Sequence, residues 1–273
     1  MTCDCIDSLL SGTWKNIEPV IVDNASPDRP AEIFRNRFPN LTVLETEENR
    51  GYTGGANLGI KYALESGADY VLILNNDTVC EKDMVEKMVR AAENIFGAGL
   101  LSPKILYNDP RDLIWYDGGA YSLFSGVPRQ WRKKRKDRPE TRKPFPVSFI
   151  SGCGFMMSRE VVEKVGFLDE DLFHIAEDAD LSIRVKKAGC RLIYVPGARL
   201  YHRESVATKV HFGNAVQTYL ATRNLLYIHK KHSRFYHDLA FYLWFFTRWM
   251  LYQTAKHAKK KKKEMLQSVW KGW

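Results

Sequence analysis

Three short stretches carry residue types that do chemistry together. Residues 71–78, VLILNNDT, run from four aliphatic side chains into a single carboxylate, Asp77. A carboxylate there could hold a hard divalent cation and bridge it to a diphosphate, neutralising charge on a leaving group. A turn and helix cap built from Asn-Asp-Thr is the competing explanation. Residues 173–180, FHIAEDAD, place Glu177, Asp178 and Asp180 within four residues at a predicted helix start. Asp178 could take the proton of a hydroxyl nucleophile as its bond forms; carboxylates also favour a helix N-terminus with no catalytic role. Residues 49–59, NRGYTGGANLG, are glycine-rich, follow a predicted strand and open a helix, so their backbone amides could face a phosphate. They match neither G-x-G-x-x-G nor a P-loop, and a tight turn requiring positive φ would use the same glycines. His202, in Tyr-His-Arg-Glu-Ser, is a lone histidine that by itself points to no site.

Positioning these groups requires a frame, and the hydrophobic spacing supplies one. Residues 19–23, 41–44 and 70–74 read as strands; 31–38, 53–66 and 82–95 read as helices. In 82–95, Met84, Val85, Met88, Val89 and Ala92 share one face, which marks the methionines as core. Strand and helix in alternation predict βαβ units and a mainly parallel sheet flanked by helices. Ligands of such sheets gather at the carboxyl ends of the strands, where Asp23, Asn24, Asn75, Asn76 and Asp77 all fall. From 107 to 147 the pattern loosens, predicting a long mobile loop over that edge. Periodicity resumes at 149–157, with helices expected at 159–165 and 178–188.

At 273 residues and 45% hydrophobic content the chain can bury a full core. Its formal charge of +9 is local: residues 129–143 hold nine basic and two acidic residues, residues 256–263 hold six lysines, and the remainder is about −4. Prolines and acids interrupt the first basic run and no nucleic-acid-binding pattern surrounds it, so an anionic acceptor or membrane is the expected contact, not nucleic acid. The five cysteines, scattered and odd in number, support neither a disulfide framework nor a zinc site. The absence of a basic-then-apolar leader in this sequence gives the expectation of a cytoplasmic protein.

Taken in order, VDNASPD at 22–28, NRGYTGGANLGI at 49–60, LILNNDT at 72–78, SPKI at 102–105, WYDGG at 115–119, SGCGFMMSREVVEKVGFLDEDLF at 151–173, EDADLSIRVKKAG at 177–189 and YVPGARLYHRES at 194–205, followed by RNLLYIHKKH, resemble the family 2 glycosyltransferases, specifically the rhamnosyltransferase-like members that build bacterial cell-surface polysaccharides. The resemblance implies a GT-A fold and inverting transfer of a sugar from a nucleoside diphosphate donor, rhamnose from dTDP-rhamnose or another hexose from a UDP-sugar, to a saccharide or polyprenyl-diphosphate-linked acceptor. It implies Asp178 as the base, and Asp77 with His202 as ligands of Mg2+ or Mn2+. Asp23, Asn24, Asn49, Arg50, Gly54, Gly55, Asn57 and Asn76 would line the nucleotide-sugar. Trp115, Asp117, Gly118, Gly152, Cys153 and Glu177 would fall on the acceptor side. Residues 5–10 match the helix that in the family follows a first strand, so that strand is expected to be missing; a truncated, non-catalytic membrane-bound remnant or scaffold is the alternative function.

Residues 239–255 are almost wholly apolar and aromatic, interrupted by Arg248, and lead into the lysine run. Their 17 residues fall at the lower limit for crossing a bilayer, which favours an interfacial helix, its aromatics at headgroup depth and its lysines on anionic lipid. Packing on the catalytic unit is the other use of the aromatics at 236–244. The expected organisation is a GT-A unit at 1–205 and a membrane-associating helical segment at 206–273, peripheral at the inner face of the cell membrane.

Overall fold

A computed structural model describes residues 1–203, 213–259 and 263–272. The expected boundary at 205/206 and lysines 260–262 lie outside the described residues. The first half follows the hydrophobic spacing: α1 (Thr2–Leu10), β1 (Val20–Asp23), α2 (Ala31–Arg37), β2 (Thr42–Glu45), α3 (Gly51–Glu65), β3 (Tyr70–Leu74), β4 (Thr78–Cys80) and α4 (Met84–Asn94). Met84 and Met88 are fully buried against the sheet, as their spacing requires. Then come β5 (Ala98–Tyr107), β6 (Ile114–Tyr116), β7 (Gly119–Tyr121), β8 (Pro128–Gln130), β9 (Phe145–Val147), β10 (Gly154–Ser158), α5 (Arg159–Val165), α6 (Glu177–Lys187) and β11 (Arg191–His202).

The central sheet has the order β3-β10-β5-β11-β4, with β6 on β5 and β9 on β11. It is mixed. β5 and β11 pair in parallel, and β10 lies antiparallel between β3 and β5, which gives β3, β5 and β11 one common direction. β1 and β2 form a separate parallel pair, so β1 and β3 each end their own sheet. Leu100, Leu101, Ile193 and Tyr194 from β5 and β11 form the buried centre between α4 on one side and α5 and α6 on the other.

The long loop expected over 107–147 is corrected: four short strands lie within it, and buried charge pairs tie it to the sheet. Lys104 on β5 is fully buried and reaches Asp137 at 2.8 Å and Glu140 at 2.6 Å. Asp117, also fully buried, accepts hydrogen bonds from Tyr194 Oη at 2.6 Å, Arg142 at 2.7 Å and Arg132 at 3.1 Å. A buried charge left unpaired is costly, so each pair holds the loop where the partner sits.

Among the described residues beyond 212 are α7 (Gly213–His232), α8 (Phe235–Trp244), a π-helix (Phe245–Met250), α9 (Leu251–Lys259) and α10 (Lys263–Lys271). The aromatic segment divides its faces. Phe241, Phe245 and Met250 are buried with Leu225 of α7 and Val269 of α10, whereas Phe235, Leu239, Tyr242, Leu243 and Phe246 are exposed. Among the described residues no helix is long and apolar enough to cross a membrane.

Candidate active site

On the first side of the site, Asn24 organises the glycine-rich turn. Its Nδ2 donates to the carbonyl of Gly51 at 2.8 Å and to Oδ1 of Asn49 at 3.2 Å, while its Oδ1 accepts from Thr46 Oγ1 and the Arg50 amide, both at 3.1 Å. Asp23, buried at the end of β1, accepts from the Ser26 amide. Gly51 has φ +72° and lies so close to Phe173 that a Cβ would meet its carbonyl oxygen at 2.4 Å, which explains glycine here. Gly54 and Gly55 are buried in the opening of α3. Asn57 is spent within the protein: its amide donates to the Leu168 carbonyl and to Glu170, and accepts from the Leu168 amide, each at 2.9 Å. Arg50 pairs with the same Glu170 at 2.9 Å. These two brace the turn from behind.

The second cluster is made by strand pairing. β11 runs antiparallel to β4 with His202 opposite Thr78, which brings His202 beside Asp77. Both are buried, and Nε2 of His202 lies 3.2 Å from Oδ1 of Asp77. The approach lacks hydrogen-bond geometry, and neither that Oδ1 nor Nδ1 of His202 has a hydrogen-bond partner among the described residues. A buried carboxylate oxygen and an imidazole nitrogen converging without bonding each other fit a divalent cation that takes its remaining ligands from phosphate and water. Asn76 is exposed and donates to Thr2 on α1. The edge of the Trp115–His202 pair closes this cluster, with ring centroids 4.9 Å apart.

The third element is the start of α6. Asp178 is half-buried; its Oδ2 accepts from the Gly152 amide at 3.0 Å and its Oδ1 from the Ala179 amide at 2.8 Å. Burial pushes its carboxyl up to about 6 against the lowering effect of those amides. Glu177 is buried more deeply, and burial together with the Asp178 charge pushes it up to about 8. Gly152 lies close against both carboxylates, and a Cβ there would sit 2.9 Å from Oε1 of Glu177 and displace it. Gly152 and buried Cys153 join all three elements: Tyr52 Oη of α3 donates to the Gly152 carbonyl at 2.7 Å, and the Asn75 amide beyond β3 donates to the Cys153 carbonyl at 3.0 Å.

The sequence-predicted acceptor residues divide. Gly152, Cys153 and Glu177 lie at this junction and Trp115 at the His202 cluster. Asp117 instead faces inward, all of its bonds spent on Tyr194, Arg142 and Arg132, and Gly118 is buried beside Trp131. Sequence reasoning passed over Tyr52, Glu170 and Asn224. Asn224, on α7, donates from Nδ2 to the carbonyls of Leu172, His174 and Ile175 at 2.9, 2.9 and 2.7 Å. The segment it holds contains Phe173, Ile175 and Ala176 with φ of 59°, 74° and 73°, a strained approach to Asp178. The signal available was the Arg-Asn pair that opens RNLLYIHKKH, directly before the apolar run Leu225–Ile228.

A family model described as Glycosyl transferase family 2 matches residues 1–166. Over 220 residues the chain is 27% identical to the N-acetylglucosaminyl-diphospho-decaprenol L-rhamnosyltransferase of Mycobacterium tuberculosis, covering 74% of this chain and 71% of that protein. It is 24% identical over 192 residues to a dTDP-rhamnosyl transferase of Shigella flexneri, covering 69% of this chain and 60% of that one. Among solved structures it matches GalNAc-T7 with UDP, GalNAc and Mn2+, at a TM-score of 0.59 and 15% identity over 93% of this chain and 55% of the other. It also matches a mannosyltransferase from Pyrobaculum calidifontis with GDP-Man and Mn2+, at a TM-score of 0.55 and 16% identity over 84% and 60%. The chain thus spans 71% of the mycobacterial relative and 60% or less of the other three. With the family model covering more than half of the sequence and the fold shared with these structures, the chain belongs to glycosyl transferase family 2 and is a glycosyltransferase of the GT-A fold.

Proposed function

We propose that the protein catalyses inverting transfer of a sugar from a nucleoside diphosphate donor to a hydroxyl of a saccharide or polyprenyl-diphosphate-linked acceptor in cell-surface polysaccharide synthesis. The observation that carries this reading is the Gly152–Cys153 junction, which ties the raised carboxyl of Asp178 to the strand end bearing Asp77. Asp178 takes the proton of the acceptor hydroxyl while the hydroxyl oxygen bonds to the anomeric carbon. The bond from that carbon to the diphosphate breaks on the opposite face, and its electron pair leaves with the nucleoside diphosphate, so one displacement inverts the centre with no covalent enzyme intermediate. Asp77 and His202 would hold Mg2+ or Mn2+, which when bound offsets charge on the departing diphosphate. The turn braced by Asn24, Asn49 and Arg50 faces the nucleotide, and Glu177, protonated at neutral pH, lies on the acceptor side.

Rhamnose from dTDP-rhamnose is the donor favoured by the names of the mycobacterial and Shigella relatives, with UDP-hexoses next. The segment from 206 onward rests on an anionic membrane surface at the cytoplasmic face, a reading supported by the exposed row Phe235, Leu239, Tyr242, Leu243 and Phe246, which the lysine run follows in sequence. The deciding experiment incubates the enzyme with dTDP-rhamnose or UDP-sugars and an acceptor. Asp178→Asn is expected to abolish transfer while nucleotide binding survives; an active Asp178→Asn enzyme sinks the assignment. One observation favours a non-catalytic scaffold instead: β1 and β3 belong to separate sheets on the nucleotide side. That alternative predicts neither transfer nor donor hydrolysis with any nucleotide-sugar.

A further inference from the structure

Within the basic run at 129–143, four charged side chains anchor the segment and one turn between them carries Lys133. Arg132 and Arg142 pair with Asp117, while Asp137 and Glu140 pair with Lys104. Backbone bonds fix the turn on both sides of Lys133: Trp131 N donates to the Gly118 carbonyl, Lys134 N to the Ile114 carbonyl, and Ile114 N to the Arg135 carbonyl. Arg132 and Lys134, the two flanking residues, are left-handed at φ 50° and 63°, a conformation these side chains adopt only when their surroundings impose it. The effect is to turn Lys133 back over the sheet. Its Nζ lies 4.5 Å from the centre of the Trp115 ring, and that ring meets His202 edge-on at 4.9 Å. Its charge also reaches Cys153, the residue bonded to Asn75 at the end of β3; burial and the Asp77 charge push that thiol well up, and Lys133 opposes them.

We propose that Lys133 binds the diphosphate of the reaction, reaching from the pinned basic loop across Trp115 to the side of the site formed by Asp77 and His202. The inference rests on the reading given under Proposed function. A nucleoside diphosphate-sugar brings two negative charges and Asp77 a third, against two positive charges on a divalent cation, so a further cation at this rim improves the balance. An ammonium suits the task because it meets phosphate as a point charge from a flexible stem. The same chemistry would serve the diphosphate of a lipid-linked acceptor, which approaches from the loop side.

The test measures binding to the full chain by titration calorimetry with Mn2+ present, using dTDP, UDP, thymidine monophosphate and geranyl diphosphate as probes against wild type, Lys133→Gln, Lys133→Arg and Asp77→Ala. Lys133 is exposed, so Lys133→Gln should melt within about 2 °C of wild type. Expected for Lys133→Gln is at least tenfold weaker binding of a diphosphate, with thymidine monophosphate changed less than twofold and Lys133→Arg largely restored. Loss on dTDP or UDP assigns the donor diphosphate; loss on geranyl diphosphate alone assigns the acceptor. Equal diphosphate binding by wild type and Lys133→Gln, with Asp77→Ala impaired, overturns the role of Lys133 and leaves the proposed function standing. Failure of the wild-type chain to bind any diphosphate overturns both.

Discussion

Nε2 of His202 and Oδ1 of Asp77 face each other at 3.2 Å without a hydrogen bond, because β11 carries His202 into register with Thr78, the neighbour of Asp77. Two converging lone pairs repel unless a proton or a cation lies between them. Chelation with EDTA is therefore expected to stop transfer, and added Mn2+ or Mg2+ to restore it. Asp77→Asn and His202→Gln should each lower kcat/KM by about 100-fold or more, which corresponds to roughly 3 kcal/mol of lost transition-state stabilisation. Undiminished activity in EDTA would remove the metal from the mechanism.

The pH dependence follows from Asp178. A carboxyl that must be ionised to act as base loses function as the pH falls through its own value, which burial raises to about 6. We expect log kcat/KM to rise with unit slope below pH 6 and to level near 7. Glu177, raised to about 8 by burial and by Asp178, is protonated across that limb, so Glu177→Gln should leave its midpoint in place. A midpoint lowered by a full unit in that variant would mean that Glu177 ionises first.

Asn224 is expected to act on the base from a distance. Its amide holds three carbonyls of a segment whose three left-handed residues cost on the order of 1 to 2 kcal/mol each. Asn224→Ala should cost about 1 to 3 kcal/mol of stability. It should also lower kcat by roughly 10-fold to 100-fold while donor KM stays within about twofold, because a displaced base reacts poorly with a substrate that still binds. Asn224→Asp keeps the shape but removes both donors, and should fall at least as far. Equal kcat in all three proteins, compared well below their melting temperatures, would reduce Asn224 to a packing role.

How far the molecule could be read in advance depended on the range of the interactions. β1, α2, β2, α3, β3 and α4 follow from short-range periodicity, with β1 ending on Asp23 and β3 on Leu74, just before Asn75. The place of Asp178 in the first turn of a helix was legible because that helix has apolar residues at helical spacing and ends just before Gly189. The segment at 107–147 was not, since its order comes from Lys104 bonding Asp137, 33 residues away, and from Tyr194 bonding Asp117, 77 residues away. Such pairs leave no periodic trace. Asn57 had the composition of a nucleotide ligand, yet its amide closes on Leu168, 111 residues later. Only the folded neighbourhood distinguishes a ligand from a brace.

Lys104 supplies the sharpest test of that long-range order. Its side chain is fully buried between Asp137 and Glu140, which are 10% and 11% exposed. Removing it strands two nearly buried carboxylates, although Arg199 on Asp137 and Arg142 on Glu140 remain. Lys104→Met is therefore expected to cost about 3 kcal/mol, the lower end for breaking a buried pair. Burial pushes the Glu140 carboxyl up, but Arg142 and Lys104 outweigh it and hold it down to about 2. The stability this gives is complete above the ordinary glutamate value near 4.3 and is lost as the pH falls toward 2. In Lys104→Met the folded-state carboxyl moves back toward its ordinary value, so this contribution shrinks, and the less stable protein should unfold in acid at a higher pH, followed by circular dichroism. Trypsin reports on the loop directly: its many basic sites at 132–138 should resist cleavage in the wild type and be cut early in the variant. Equal cleavage rates in the two proteins would show that the loop is held by something other than this pair, and the placement of Lys133 over Trp115 would need a different anchor.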